Sequence, residues 1–177
     1  MYMRTLLRLI LIPTAACLLF SCSKATADYT PYISFSAILR NPVISHDSIV
    51  GCQDTVYTTY DSSLSAYILD TISMSDTTYF MVGFGSRGND LTAALITFDS
   101  TAVNLRCHLA DEIKAVLDTA KTNEQAAQLY FIPGYNLVLF PIAYTPKKTG
   151  VHKLIFQVKS DSKFSPVSYT LMQPVKE

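Results

Sequence analysis

Apolar and polar positions alternate with a period of two over much of the chain. Between Thr77 and Phe84, the residues Thr78, Phe80, Val82 and Phe84 share one side, and Thr77, Tyr79 and Met81 share the other. Between Lys153 and Lys159, Leu154, Phe156 and Val158 face one way while Lys153, Gln157 and Lys159 face the other. Successive strand side chains point to opposite faces, so the pattern predicts strands with one buried face. The same reading predicts strands over Tyr32–Ile38, Thr55–Tyr60, Ala66–Ser73, Leu91–Phe98, Val103–His108, Leu137–Tyr144 and Ser168–Met172. Clusters such as Ser86-Arg87-Gly88-Asn89-Asp90 and Asp161-Ser162-Lys163 separate them with turn chemistry. Many strands joined by polar turns imply a mostly β, two-layer antiparallel sandwich.

One segment has a different period. Ile113, Val116, Leu117 and Ala120 fall at helical spacing, which predicts a short amphipathic helix over about residues 111–121. Asp111 is placed to cap its N-terminus. The economical role for this helix is to cross from one sheet to the other and cover an open end of the core.

The N-terminus has its own pattern. Arg4 and Arg8 precede an apolar run from Leu9 to Phe20, too short to span a bilayer, which needs about 20 residues. It has the form of a signal peptide. Leu19-Phe20-Ser21-Cys22 resembles the lipobox of bacterial lipoproteins, with Phe20 a departure from the smaller residue usual there. The resemblance implies cleavage before Cys22, acylation of that cysteine, and anchoring in the cell envelope at the outer membrane. The organisation expected is a signal at 1–21, a flexible tether at 22–30 and a single domain at 31–177. The rival cut, at Ala25-Thr26-Ala27, would release a soluble secreted protein.

Composition changes the picture once the signal is set aside. The chain is formally neutral, with 49% hydrophobic and 16% charged residues. Removing 21 of its 177 residues leaves 156, and the loss of Arg4 and Arg8 takes the 14 basic residues to 12 against 14 acidic. A mildly acidic domain lacks the clustered positive charge that a nucleic-acid binder needs. Much of the apolar excess belongs to the removable segment, and what remains suits one domain with a real core.

A second resemblance lies in the last third. Tyr144-Thr145-Pro146-Lys147-Lys148-Thr149-Gly150, followed by Leu154, Phe156 and Val158, resembles the penultimate hairpin of immunoglobulin-like domains of the filamin kind. It implies an immunoglobulin-like sandwich and no particular function.

Candidate chemistry is sparse. Gly83-Phe84-Gly85-Ser86-Arg87-Gly88 matches G-x-G-x-x-G, but the cofactor reading requires a helix next, and a glycine-rich strand-to-strand loop fits better. No cofactor is expected. His46, His108 and His152 are scattered without metal-ligand spacing, and His152 is expected at the surface of its hairpin. Asp54, Asp61, Asp70, Asp76, Asp90 and Asp99 sit singly beside turns, so no metal site is expected beyond calcium held by loop carboxylates that meet only in space. Cys52 and Cys107 form an even pair in an exported chain, which permits a disulfide; two half-buried thiols are the alternative. Tyr29, Tyr32, Tyr57, Tyr60 and Tyr67 cluster early and are expected to be half-buried strand residues; exposed, they would offer stacking surfaces for sugars. No catalytic constellation is present. The expectation is a non-catalytic module held at a membrane by its lipid, with a protein or glycan partner, and the less favoured alternatives are an adhesin-type glycan binder and an envelope enzyme.

Overall fold

The structure, a computed structural model, describes residues 28–45 and 48–177. The signal segment, Cys22 and His46 lie outside the described residues. Two β-sheets face each other across a single hydrophobic core. The first has the order β10-β12-β8-β1-β4, built from β1 (Tyr32–Arg40), β4 (Asp54–Thr55), β8 (Thr78–Gly85), β10 (Val103–Cys107) and β12 (Leu137–Pro146). The second has the order β11-β9-β13-β14-β6-β5, from β5 (Thr58–Asp61), β6 (Ala66–Leu69), β9 (Leu91–Thr97), β11 (Gln128–Tyr130), β13 (Gly150–Ser160) and β14 (Val167–Lys176). A short β7 (Ile72–Ser73) also pairs with β14. Pairing is antiparallel except where β6 and β7 run parallel to β14.

The alternation read from the sequence sets the core. Thr78, Phe80, Val82 and Phe84 on β8 are fully buried, as are Leu154, Phe156 and Val158 on β13. The two layers meet through aromatic rings: Phe156 lies 5.1 Å from Phe35 of β1 and 6.1 Å from Phe80, both in edge arrangements. A bulge between Phe35 and Ala37 shifts the alternation of β1, which brings Ile38 into the core after Phe35.

Two predicted strands are each divided. Thr55–Tyr60 is not one strand: β4 belongs to the first sheet and β5 to the second, and buried Val56 marks where the chain changes layer. Ala66–Ser73 breaks between β6 and β7 at Asp70, whose carboxylate accepts from Tyr57 N–H and whose carbonyl accepts from Gln173 Nε2. The hairpin of β2 (Val43–Ser45) and β3 (Ser48–Gly51) was not expected from periodicity.

The helix is shorter than predicted. α1 covers Asp111–Lys114 only, and its N-cap is Ala110, without a side-chain bond, rather than Asp111. Val116 and Leu117 are buried, but Leu117 bridges Phe131 and the Val116 carbonyl accepts from Ile132 N–H. Pairing with the chain beside β11 therefore replaces the next helical turn. The segment does cross from β10 in the first sheet to β11 in the second, as expected.

The β12–β13 hairpin matches its sequence reading. β12 runs to Pro146, and Gly150 opens β13 at φ +120°, a left-handed value that glycine tolerates. The glycine-rich stretch is likewise a strand-to-strand connection: Gly83 and Gly85 lie in β8, Gly88 turns at φ +89°, and β9 follows. No helix among the described residues is long and apolar enough to cross a membrane.

Candidate binding groove along an edge strand

β10 is one of the two edges of the first sheet. In an antiparallel ladder, alternate residues bond to the neighbouring strand. His108 N–H donates to the Pro141 carbonyl at 2.8 Å and Lys147 N–H to the Ala102 carbonyl at 2.8 Å. These bonds set the phase: Asn104 and Arg106 bond toward β12, and Leu105 and Cys107 turn their backbone N–H and C=O groups to the open side. Strand pairing stops at Cys107, next to Pro141, which has no N–H to continue it.

The edge continues onto β12. β10 covers only Ile142–Pro146, so the first half of β12 has no strand on that side. Leu137 and Leu139 stand 56% and 51% exposed there, on the outward face of the sheet. Unpaired edge groups beside exposed apolar side chains are a ready template for another strand.

A groove of about 860 Å³ runs along this edge. Asn104 to Asp111 form one side, Tyr79, Pro141 and Ile49 contribute apolar surface, and Lys114, Glu124 and Gln125 close it. The His108 ring stacks on Tyr79 with centroids 5.4 Å apart, and its Nε2 lies 3.4 Å from the Tyr79 hydroxyl. Lys114 pairs with Asp111 at 3.6 Å. Arg106 and Glu124 add one charge of each sign, so the groove is close to neutral. Burial, with a contribution from Glu124, pushes the Cys107 thiol up to about 12. That is opposite to the depressed value of an activated nucleophile.

The structure does not bring Cys52 and Cys107 together. Both thiols are free, Cys52 exposed and Cys107 half-buried. Cys52 leads into β4 and Cys107 ends β10, at opposite edges of a five-stranded sheet. Four strand spacings, about 19 Å, separate such edges, whereas a disulfide needs Cα atoms within about 7 Å.

His152 corrects its expectation. It is buried, because β13 begins at Gly150 and His152 shares the inward parity of Leu154, Phe156 and Val158. Its Nδ1 lies 2.5 Å from the Tyr144 hydroxyl. Burial pushes its pKa down, against smaller upward pulls from Asp99 and a hydrogen bond with the Lys148 backbone.

The tyrosines divide. Tyr57 and Tyr60 are 70% and 55% exposed rather than half-buried, since the chain changes sheets between β4 and β5. Tyr67 is half-buried and stacks on Tyr169 at 4.3 Å and 9°, with Tyr60 4.9 Å away on the outer side. Among the described residues, no group of three or more His, Cys, Asp or Glu side chains converges as a metal set.

Asp28 and Tyr29, within the expected tether, bond to the turn after β8. Tyr29 N–H donates to Asn89 Oδ1 at 3.0 Å, and Asn89 Nδ2 donates to Asp28 Oδ1 at 3.1 Å. The roles of Arg106, Lys114 and Glu124 in the groove carried no sequence signal beyond Pro141, whose missing N–H inside a strand marks a nearby edge.

No family model matches the chain, and no curated protein matches it. Among solved structures it is similar to a family 123 glycoside hydrolase from Clostridium perfringens, studied for glycolipid glycan hydrolysis, at 10% identity and a TM-score of 0.39. That match covers 83% of this chain and 27% of the hydrolase, so the chain spans about a quarter of that protein. It is also similar to the ASH/PapD-like domain 7 of human CEP192, at 8% identity and a TM-score of 0.34, covering 77% of this chain and 99% of that domain. At these scores neither likeness bears on function.

Proposed function

We propose that the protein is a lipid-anchored component of the bacterial cell envelope that binds, without catalysis, an extended segment of a partner protein by strand addition at β10. The observation that carries the binding is the outward-facing backbone of Leu105 and Cys107 along a groove of about 860 Å³. Main-chain hydrogen bonds to an edge supply affinity in such complexes, and pockets for alternate side chains supply specificity. Here apolar side chains of the added strand would meet Tyr79, Pro141, Leu137 and Leu139, and the near-neutral groove favours a segment of low net charge. The anchor rests on the lipobox at Leu19–Cys22, and acyl labelling of wild type against Cys22→Ala tests it, with loss of label expected and equal label contradicting it.

Panning random twelve-residue peptides on the purified protein tests the binding. Peptides of alternating apolar pattern that protect the β10 edge are expected, and peptides that bind only elsewhere would contradict the assignment. A second reading, glycan binding, is favoured by exposed Tyr60 at the outer end of the Tyr67–Tyr169 stack. A glycan array separates the two, since sugar binding lost in Tyr60→Ala supports the second and no binding removes it.

A further inference from the structure

From the placement of the N-terminal attachment we infer that one end of the sandwich, carrying Tyr29, Ile132, Tyr135, Phe164, Lys163 and Arg87, lies against the phospholipid headgroup layer. This goes beyond the strand-addition reading but rests on the anchor at Cys22.

Strand register puts these residues at one end. Gly85 of β8 is opposite both Tyr32 and Leu137, and Leu91 is opposite Ser160. The loops are tied together there: Leu91 N–H donates to the Tyr135 carbonyl, Asp161 N–H to the Asp90 carbonyl, and Gly134 N–H to the Asp90 carboxylate. The N-terminal attachment is at this end too, through Tyr29 and Asp28 on Asn89, with Lys163 3.6 Å from Asp28.

Chain length limits how far the attached end lies from the membrane. Five residues lie between Cys22 and Asp28, and the six Cα–Cα steps reach at most about 22 Å. β13, with 11 residues, is about 35 Å long, so the opposite end around Pro146–Gly150 lies beyond that reach when the domain stands on its attachment. The near end has the chemistry of a bilayer interface. Tyr29, Ile132, Tyr135 and Phe164 are each between 39% and 45% exposed although large and apolar. Aromatic rings with lysine and arginine beside them are the side chains that settle at headgroup level. The carboxylates of Asp28, Asp90 and Asp161 are engaged by Asn89 and Lys163, by Gly134 N–H and by Asp90 N–H respectively, while Arg87 is exposed among the apolar residues.

The test uses the acylated chain in vesicles of phosphatidylethanolamine and phosphatidylglycerol, first floated to establish anchoring and then footprinted with aqueous hydroxyl radicals. The reference is the chain from residue 23 in solution, which keeps the whole core from Ile38 to Val175. Oxidation of Tyr135 and Phe164, relative to Tyr57, is expected to fall at least about threefold on the vesicles. The double variant Tyr135→Asp, Phe164→Asp should still float but lose protection at Tyr29. Flotation with equal oxidation at Tyr135, Phe164 and Tyr57 would overturn the contact while leaving the anchor intact. Failure to float would overturn the anchor and the contact with it.

Discussion

The hydroxyl of Tyr144 lies 2.5 Å from Nδ1 of His152, with both residues inside the core. Burial holds His152 below its ordinary pKa. The unfolded chain therefore binds a proton there more readily than the folded one, and stability rises with pH across that range. Its contribution is full above the unfolded value, about 6.5, and is lost as pH falls below it. Carboxylates such as Asp61, lowered by hydrogen bonds from Ser63, lose their contributions only in more acid solution. Urea melts between pH 7.5 and 5 should show falling stability, and His152→Gln should flatten the slope. An unchanged slope in the variant would contradict the assignment.

One ring of the second sheet meets two of the first. Phe156 is fully buried and contacts Phe35 and Phe80 from the facing sheet. Phe156→Ala should cost about 3–5 kcal/mol, read as a lower urea midpoint at unchanged slope. A loss below 1 kcal/mol would mean that the layers do not meet there.

The thiols should behave as strangers. Cys52 is exposed, while burial pushes Cys107 up to about 12. Iodoacetamide at pH 8 should label Cys52 quickly and Cys107 slowly, with both thiols titrating as free before reduction. A reduction-dependent shift on a gel would contradict the sheet order.

Cys107→Pro removes one outward-facing N–H from β10 without touching its bonds to β12. Edge strands tolerate proline in that orientation. Peptides selected on the wild-type groove should bind about five- to tenfold more weakly, the worth of one hydrogen bond, while the melting temperature stays close to wild type. Equal affinity would place the peptide elsewhere.

Periodicity made most of the sandwich legible, because a half-buried strand must alternate whatever its neighbours are. Phe80, Val82, Phe84 and Leu154 needed no tertiary knowledge. His152 was legible by the same parity, yet starting β13 at Lys153 rather than Gly150 hid it. The division at Val56 was not legible, since a chain that changes layer keeps an apolar residue at the crossing and looks continuous; the break at Asp70 stays within the second sheet, where β6 and β7 both pair with β14. The helix beyond Lys114 failed for a related reason: Val116 and Leu117 have helical spacing but satisfy burial by pairing beside β11. The groove was least legible, because an edge is a property of strand order, and strand order leaves no local trace except Pro141.

Amide hydrogen exchange at Leu105 and Cys107, measured with and without a selected peptide, tests strand addition most directly. These two amides face the open side of β10, so they should exchange rapidly in the free protein and at least about tenfold more slowly in the complex. Those of Asn104 and Arg106, already bonded to β12, should change little. Unchanged exchange at Leu105 and Cys107 in a saturated complex would contradict the account.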